Sequence, residues 1–494
     1  LYVYNTTTRK TEQVTDFKEY DVKFPSCGGG MIVFENGGYL YSLNPKTKQY
    51  SKITITLNSE DKYARTERKN VKDFVNNLSL SDDGKRLVIT ARGDLFDVPV
   101  TEGVTKNITR TSGVHERGAM RSSDGKTICY ISDETGETEL WLKNADGSNP
   151  VQLTSGNDTY ITDFEWSNDD KHIVYSDRKN RVFYLDVTSR TKQLILQDTV
   201  DYINTPTFSP DNKWLTYTRC QGNNYSVVYL YNIAQKKEYA VTERWYNSSD
   251  PTFRNDGKYL FFTSARDFNP IYNSIEWNFA YRDMQGIYLV PLAKGTPSPF
   301  LYTDGDVDSE NAAEAAPKST KKAGKKKADS NAEKSTNDVV IDINGITERI
   351  TRVPGIGTGY YYGLSSDGKW LYFNSRSGAM AYNIEEQSLE TVVAGGSIYP
   401  TNNLKKSLVM KGGNFYVIDT PRGKANLGEP VDMSNMYCDI DYSKEWAQIF
   451  NEAWRAYRDG FYLENMHGVD WKAMHDRYAA LLPYVKNRLD LTYV

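Results

Sequence analysis

Arg121-Ser-Ser-Asp-Gly-Lys-Thr-Ile-Cys-Tyr130 is the stretch on which the fold turns. Asp-Gly supplies the positive φ of a tight hairpin turn, and behind it every second side chain leaves the same face of a strand. The pattern recurs as Ser79-Leu-Ser-Asp-Asp-Gly-Lys-Arg-Leu-Val-Ile89, Trp166-Ser-Asn-Asp-Asp-Lys-His-Ile-Val-Tyr175 and Phe208-Ser-Pro-Asp-Asn-Lys-Trp-Leu-Thr-Tyr217. It returns twice more, as Phe253-Arg-Asn-Asp-Gly-Lys-Tyr-Leu-Phe-Phe262 and Leu364-Ser-Ser-Asp-Gly-Lys-Trp-Leu-Tyr-Phe373.

The turn lysines Lys85, Lys126, Lys171, Lys213, Lys258 and Lys369 are separated by 41, 45, 42, 45 and 111 residues. A period of 41–45 residues holding several short strands is the length of one four-stranded propeller blade. The long gap contains an irregular stretch, 267–283, and a biased run, 304–338. Removing roughly 50–60 inserted residues leaves one ordinary period. A weaker repeat over 403–417 has lost the Asp-Gly turn and brings the count to seven blades over 64–437. The run 306–337 is almost free of apolar residues and is expected to be a disordered surface insertion. Its Lys321, Lys322, Lys325, Lys326 and Lys327 stand in a run with interleaved acidic residues, which suits a solvated tether rather than a nucleic-acid contact. Ahead of the array, strand-like pieces at 1–4, 31–34, 39–43 and 52–57 are punctuated by glycines and read as the last one to two blades of a preceding propeller, over 1–60.

The fold class expected is therefore mainly β: a seven-bladed β-propeller preceded by part of another propeller. A tail of helices follows it. Trp446, Ile449, Phe450, Ala453, Trp454 and Tyr457 form one stripe of a helix over 443–460, with Ser443 as the expected cap and Gly460 as its end. A second helix should start at Asp470, carry Trp471, Met474, Tyr478, Leu481 and Leu482 on one side, and stop at Pro483; a third begins near Asp490. Two such helices cannot bury their aromatic surface against each other alone, so 443–494 is expected to open a further domain.

Bulk composition excludes several classes. The 60 basic and 64 acidic residues leave a net charge of −4, with no field to draw nucleic acid or an anionic membrane. No apolar run reaches the length of a membrane-spanning helix. Cys27, Cys129, Cys220 and Cys438 lie far apart and read as buried free thiols. Gly363-Leu-Ser-Ser-Asp-Gly-Lys369 imitates a phosphate loop, but Trp370 replaces the hydroxyl residue and a strand follows in place of a helix. His115-Glu-Arg-Gly-Ala119 lacks the second histidine of a zinc protease, and no GxSxG nucleophile elbow occurs. No metal or cofactor site is expected. Of the four histidines, His467 and His475, near Asp470 and Asp476, read as structural hydrogen-bonding groups, and His172 lies at a strand turn. His115, Glu116 and Arg117, in the lead-in to the second blade, are the candidate substrate-channel residues; an inter-blade salt bridge is the alternative.

Together the repeats, the lead-in Gly113-Val-His-Glu-Arg117, the segment Val340-Ile-Asp-Ile-Asn-Gly-Ile-Thr-Glu-Arg-Ile350 and the helical motifs resemble the tricorn-type proteases. The helical motifs are Glu445-Trp-Ala-Gln-Ile-Phe-Asn-Glu-Ala-Trp-Arg455, Arg458-Asp-Gly-Phe-Tyr462 and Asn465-Met-His-Gly-Val-Asp-Trp471. The resemblance covers essentially the whole chain. It implies a self-compartmentalised serine peptidase related to the C-terminal processing peptidases, in which the propeller admits unfolded peptides to a core domain. It also implies acyl transfer to a serine with a histidine base, on residues expected past Val494. His467 matches a family position that is not catalytic. No catalytic residue is therefore assigned, and the 494-residue chain alone is expected to be inactive. Peptide or unfolded polypeptide as partner, a homo-oligomer (a hexamer by resemblance) and a cytoplasmic setting, or alternatively a periplasmic one, follow from the resemblance alone. Two rivals differ in what should follow or be missing: a prolyl-oligopeptidase-like propeller needs a GxSxG elbow further on, and a non-enzymatic TolB-like or WD40-like platform should end at its last blade.

Overall fold

Each Ser-x-Asp turn closes on itself through a cage of hydrogen bonds. In the first repeat Ser81 Oγ donates to Asp83 at 2.7 Å, Asp83 accepts the Lys85 amide at 3.0 Å, and Ser81 Oγ accepts the Arg86 amide at 3.1 Å. The same bonds join Ser122, Asp124, Lys126 and Thr127. They recur at Ser167 with Asp169 and at Ser209 with Asp211. The residue before each lysine is left-handed: Gly84, Gly125, Asp170, Asn212, Gly257 and Gly368 have φ of +70°, +75°, +59°, +58°, +69° and +95°. Only Gly, Asn and Asp adopt that region cheaply, hence the restricted choice.

The seventh repeat keeps the cage with other residues. Thr401 Oγ1 donates to Asn403 at 2.9 Å and Asn403 accepts the Lys405 amide at 2.9 Å. Leu404 then occupies the left-handed position, at φ +55°. A leucine there costs about 1–2 kcal/mol. Leu404→Gly is expected to stabilise the protein by about 0.5–1 kcal/mol, after allowance for glycine's looser unfolded state. A raised denaturant midpoint checks this. In blade 6 the hairpin is tighter, pairing Ser366 with Leu371, and Asp367 accepts the Lys369 and Trp370 amides directly.

The computed structural model describes residues 1–56, 65–198, 202–267, 270–272, 279–281, 283–300 and 338–494, so the insertion expected at 306–337 lies outside the described residues. Two units are distinguished, Leu1–Tyr63 and Ala64–Val494. The first holds a two-stranded sheet (Tyr2–Asn5, Lys10–Gln13) and a four-stranded one (Val22–Gly28, Met31–Asn36, Tyr39–Leu43, Tyr50–Lys52). Phe17, Phe34, Tyr41 and Tyr50 pack on one another there. Val22–Gly28 was not expected from sequence. It carries Phe24 at φ +51° and a register slip, which spoil its alternation. The strand expected at 52–57 sits earlier, at Tyr50–Lys52.

The second unit is the seven-bladed β-propeller. Six four-stranded antiparallel sheets and one three-stranded sheet, blades 1 to 7, span 75–107, 117–152, 161–197, 207–240, 248–352, 361–394 and 396–419. Blade 5 carries a two-stranded ribbon, Pro270–Tyr272 with Phe279–Tyr281, inside the stretch read as irregular. Alternation along the second strands decides the packing. Ile128 and Tyr130 pack against blade 1, while Cys129 and Ile131 pack against blade 3. Each neighbouring pair of blades thus shares one apolar cluster, and blade 7 meets blade 1 through Leu408, Phe415, Leu87 and Phe96. Turn-to-turn bonds add to this: Asp170 accepts the Ser123 and Asp124 amides, Asn212 that of Asn168, and Asp82 that of Asn402. Glu67–Asn70 pairs with Tyr437–Ile440, tying the start of the ring to its end.

Three helices follow: α1 (Tyr442–Gly460), α2 (Trp471–Ala479) and α3 (Arg488–Tyr493). The cap of α1 is Asp441, not Ser443: its carboxylate accepts the Ser443 and Lys444 amides, and its charge complements the helix dipole as a serine cannot. Trp454 and Trp471 exchange indole-to-carbonyl hydrogen bonds of 2.9 and 3.1 Å, which pins α1 to α2. Tyr457, Tyr462, Tyr484, Leu489 and Tyr493 remain exposed. All four cysteines are free; Cys27 is exposed rather than buried, because it sits near the end of the strand Val22–Gly28.

Candidate functional site

The first strand of every blade faces the centre of the ring. At the end carrying the Ser-x-Asp turns, a cavity of about 430 Å³ touches all seven blades, through Asp82, Ser123, Glu165, Phe208, Asn255, Ser365 and Asn402. A second cavity of about 600 Å³ runs along Val75–Leu80 and shares Asp82, Glu165 and Trp166 with it. Five inner strands slip register, at Asn76, Gly118, Thr162, Asp250 and Gly363. Such bulges re-aim side chains and end regular pairing. Asp163, Glu165 and Asp250 stand on these strands. Desolvation at the ring centre pushes Glu165 up to about 8, with the nearby Asp163 adding to it, and also raises Asp250.

The opposite end of the ring carries the turns between second and third strands and the links between blades. Helix α1 docks on that end, over blades 1 and 2, through a polar stripe. Arg92 donates to Glu445 at 2.6 Å and Gln448 to Asp133 at 3.0 Å. Glu452 accepts from His115 at 2.8 Å and from Arg117 at 3.0 Å. Arg455 donates to Asp133 at 2.6 Å, and Arg458 holds Glu137 with two bonds of 2.6 and 2.9 Å. Asp133 also accepts the His115 amide at 2.7 Å, so one carboxylate ties the lead-in of blade 2 to α1. A side chain at Gly113 would strike Lys444 Cβ at 2.7 Å.

The three residues singled out in the sequence thus lie together at this join. His115 and Arg117 are held by Glu452. Glu116 turns inward, 1% exposed, accepts from the Thr111 hydroxyl, and is pushed up to about 8 by burial. The expectation for the other histidines agrees with their contacts: His475 bonds Asn451 at 2.8 Å between Phe450 and Trp454, His467 bonds Tyr462, and His172 stacks on Tyr184. What the sequence reading missed is the stripe Glu445, Gln448, Glu452, Arg455, Arg458. Its spacing is as helical as that of the apolar stripe beside it, and that was the available signal.

Burial would raise the Glu452 carboxyl, yet the hydrogen bond from His115 and the charge of Arg117 hold it well below the usual carboxylate range. A depressed carboxylate contributes stability that is complete above its unfolded pKa, roughly 4.3, and is lost as pH falls through the folded value. The protection factors of the α1 amides, taken against intrinsic exchange at each pH, are therefore expected to hold down to about pH 4 and to fall below it. A Glu452→Gln variant should lose that contribution to the acid response.

Similarity to known proteins follows the same layout. The family described as "Tricorn protease second beta propeller domain" matches residues 75–418, and "Tricorn protease C1 domain" matches 442–494. A tricorn protease homolog of Saccharolobus solfataricus is 22% identical over 513 residues, covering 100% of this chain and 44% of the relative. Tricorn protease homolog 1 of Streptomyces coelicolor is 22% identical, covering 94% of this chain and 45% of its own length. The crystal structure of the tricorn protease superposes with a TM-score of 0.76 at 17% identity, over 99% of this chain and 47% of that one. The chain spans about half the length of the curated relatives it matches.

Proposed function

Because this chain belongs to the tricorn protease family, we propose that its seven-bladed ring is the passage through which unfolded peptide reaches a serine-peptidase core. The observation that carries the reading is the position of α1. It docks on one end of the ring, while the seven-blade cavity opens at the other. A polypeptide entering at the Ser-x-Asp end would leave towards the helices, and a folded domain would be too wide to follow. Acyl transfer to a serine is the chemistry proposed for the whole protein, and no residue of Leu1–Val494 is assigned to it. Homo-oligomeric assembly and a cytoplasmic setting rest on the family likeness alone.

Narrowing the mouth tests the passage. In the full-length protein, Thr207→Trp with Ser365→Trp places two indoles on the cavity wall. Degradation of a long unfolded polypeptide is expected to fall by roughly tenfold, while a short chromogenic peptide is cut at the unaltered rate, since only binding and access have changed. Equal rates on the long substrate before and after narrowing would overturn the reading.

A further inference from the structure

At the helix-bearing end of the ring, blades 6 and 7 enclose a cavity of about 550 Å³. Tyr360 and Tyr362 form one wall, with ring centres 5.8 Å apart. Arg376, on the turn between the second and third strands of blade 6, lies 5.7 Å from the Tyr360 ring centre. Lys411, at the corresponding turn of blade 7, supplies a second cation, followed by Gly412, Gly413 and Asn414. Among the described residues no carboxylate lines the cavity. Asp283 forms an exposed ion pair with Arg376 at 3.7 Å, one that solvent screens, and among the described residues Lys411 has no acidic partner. Gly412 and Gly413 have φ of +59° and +77°, and side-chain atoms at either would meet nothing within 4 Å, so this exposed hairpin tip offers open main chain to the cavity.

An arginine fork, an ammonium, two aromatic faces and open main chain lining one cavity suit a carboxylate-bearing extended chain. We propose that this cavity binds acidic peptide segments and takes hold of them where they leave the ring. The inference rests on the passage reading above, which places peptide at this mouth. The rings take the apolar stems of glutamate side chains, Arg376 pairs a carboxylate through two N–H groups, and Lys411 adds a point charge.

The probe is a fluorescein-labelled Glu-Gly decapeptide, titrated against the 494-residue chain by anisotropy, with a Lys-Gly decapeptide alongside. The Glu peptide is expected to bind and the Lys peptide not. Arg376→Ala with Lys411→Ala should weaken the Glu peptide by roughly tenfold or more, the loss of one to two charge-assisted bonds. Arg376 is exposed and only weakly paired, so the double variant should keep its melting temperature, which circular dichroism verifies. Equal binding of both peptides, unchanged affinity in the double variant, or displacement by inorganic phosphate or single-stranded DNA as effective as by unlabelled Glu peptide would each overturn the site. Thr207→Trp with Ser365→Trp, at the far mouth, should leave this binding intact. If narrowing blocks long substrates but the Glu peptide does not bind, this inference alone falls. If the Glu peptide binds but narrowing changes nothing, the passage reading falls.

Discussion

Arg455→Ala is expected to release the helices from the propeller without unfolding the ring. The Arg455 and Asp133 side chains are 9% and 3% exposed and meet at 2.6 Å, and Asp133 also accepts from Gln448 and from the His115 amide. Breaking a buried pair by deleting one partner costs about 3–5 kcal/mol, because the remaining charge stays desolvated. Few apolar contacts compensate. The helical cluster around Trp446, Val485 and Leu491 packs within the tail itself. Limited proteolysis should cut α1 and α2 early in the variant while the blade core remains protected. Arg455→Lys should behave as an intermediate, since a point charge can reach Asp133 but cannot also serve the Gly136 carbonyl as the guanidinium does. Unchanged protection of α1 in Arg455→Ala would mean that the remaining bonds of the stripe suffice.

The second large effect falls inside a blade. Gly378 sits at φ +140°, a region reserved for glycine, where it opens the third strand of blade 6. A Cβ there would lie 2.2 Å from the Val393 carbonyl oxygen and 2.8 Å from the Gly395 amide nitrogen. Both obstacles are main chain, so no side chain can swing aside, and the outer strand Ser388–Ala394 has to move. Gly378→Ala should cost about 3 kcal/mol or more and lower the melting temperature by several degrees. Gly84→Ala makes the control. Its Cβ would strike Lys406 Cγ at 2.5 Å, but the lysine stem is flexible and φ is the milder +70°, so the loss should be smaller. Equal losses at the two positions would show that dihedral strain, not the main-chain collision, sets the cost.

The blade repeat was legible because its chemistry is local. Serine, aspartate, a left-handed residue and lysine lie within five positions, and the strand behind them alternates with period two. Where the letters changed, at Thr401, Asn403 and Leu404, the same cage forms from other donors and acceptors, so the seventh blade reads weakly although it is built alike. The resemblance carried by 445–471 led to the family for a similar reason, since aromatic spacing on a helix is a short-range pattern.

Sequence alone determined the mainly β character, the blade period, the helical tail and the absence of a nucleophile elbow within the chain. Tertiary structure decided which end of the ring the helices occupy and which charges hold them there. Glu452 bonds residues more than three hundred positions away, and a charged helix face looks the same in sequence whether it meets water or a propeller rim. The same holds for Arg376 and Lys411, which share a cavity only because blades 6 and 7 stand side by side. Hydrogen bonds and charges acquire their partners through closure of the ring, whereas turns and strands are specified by the few residues that make them.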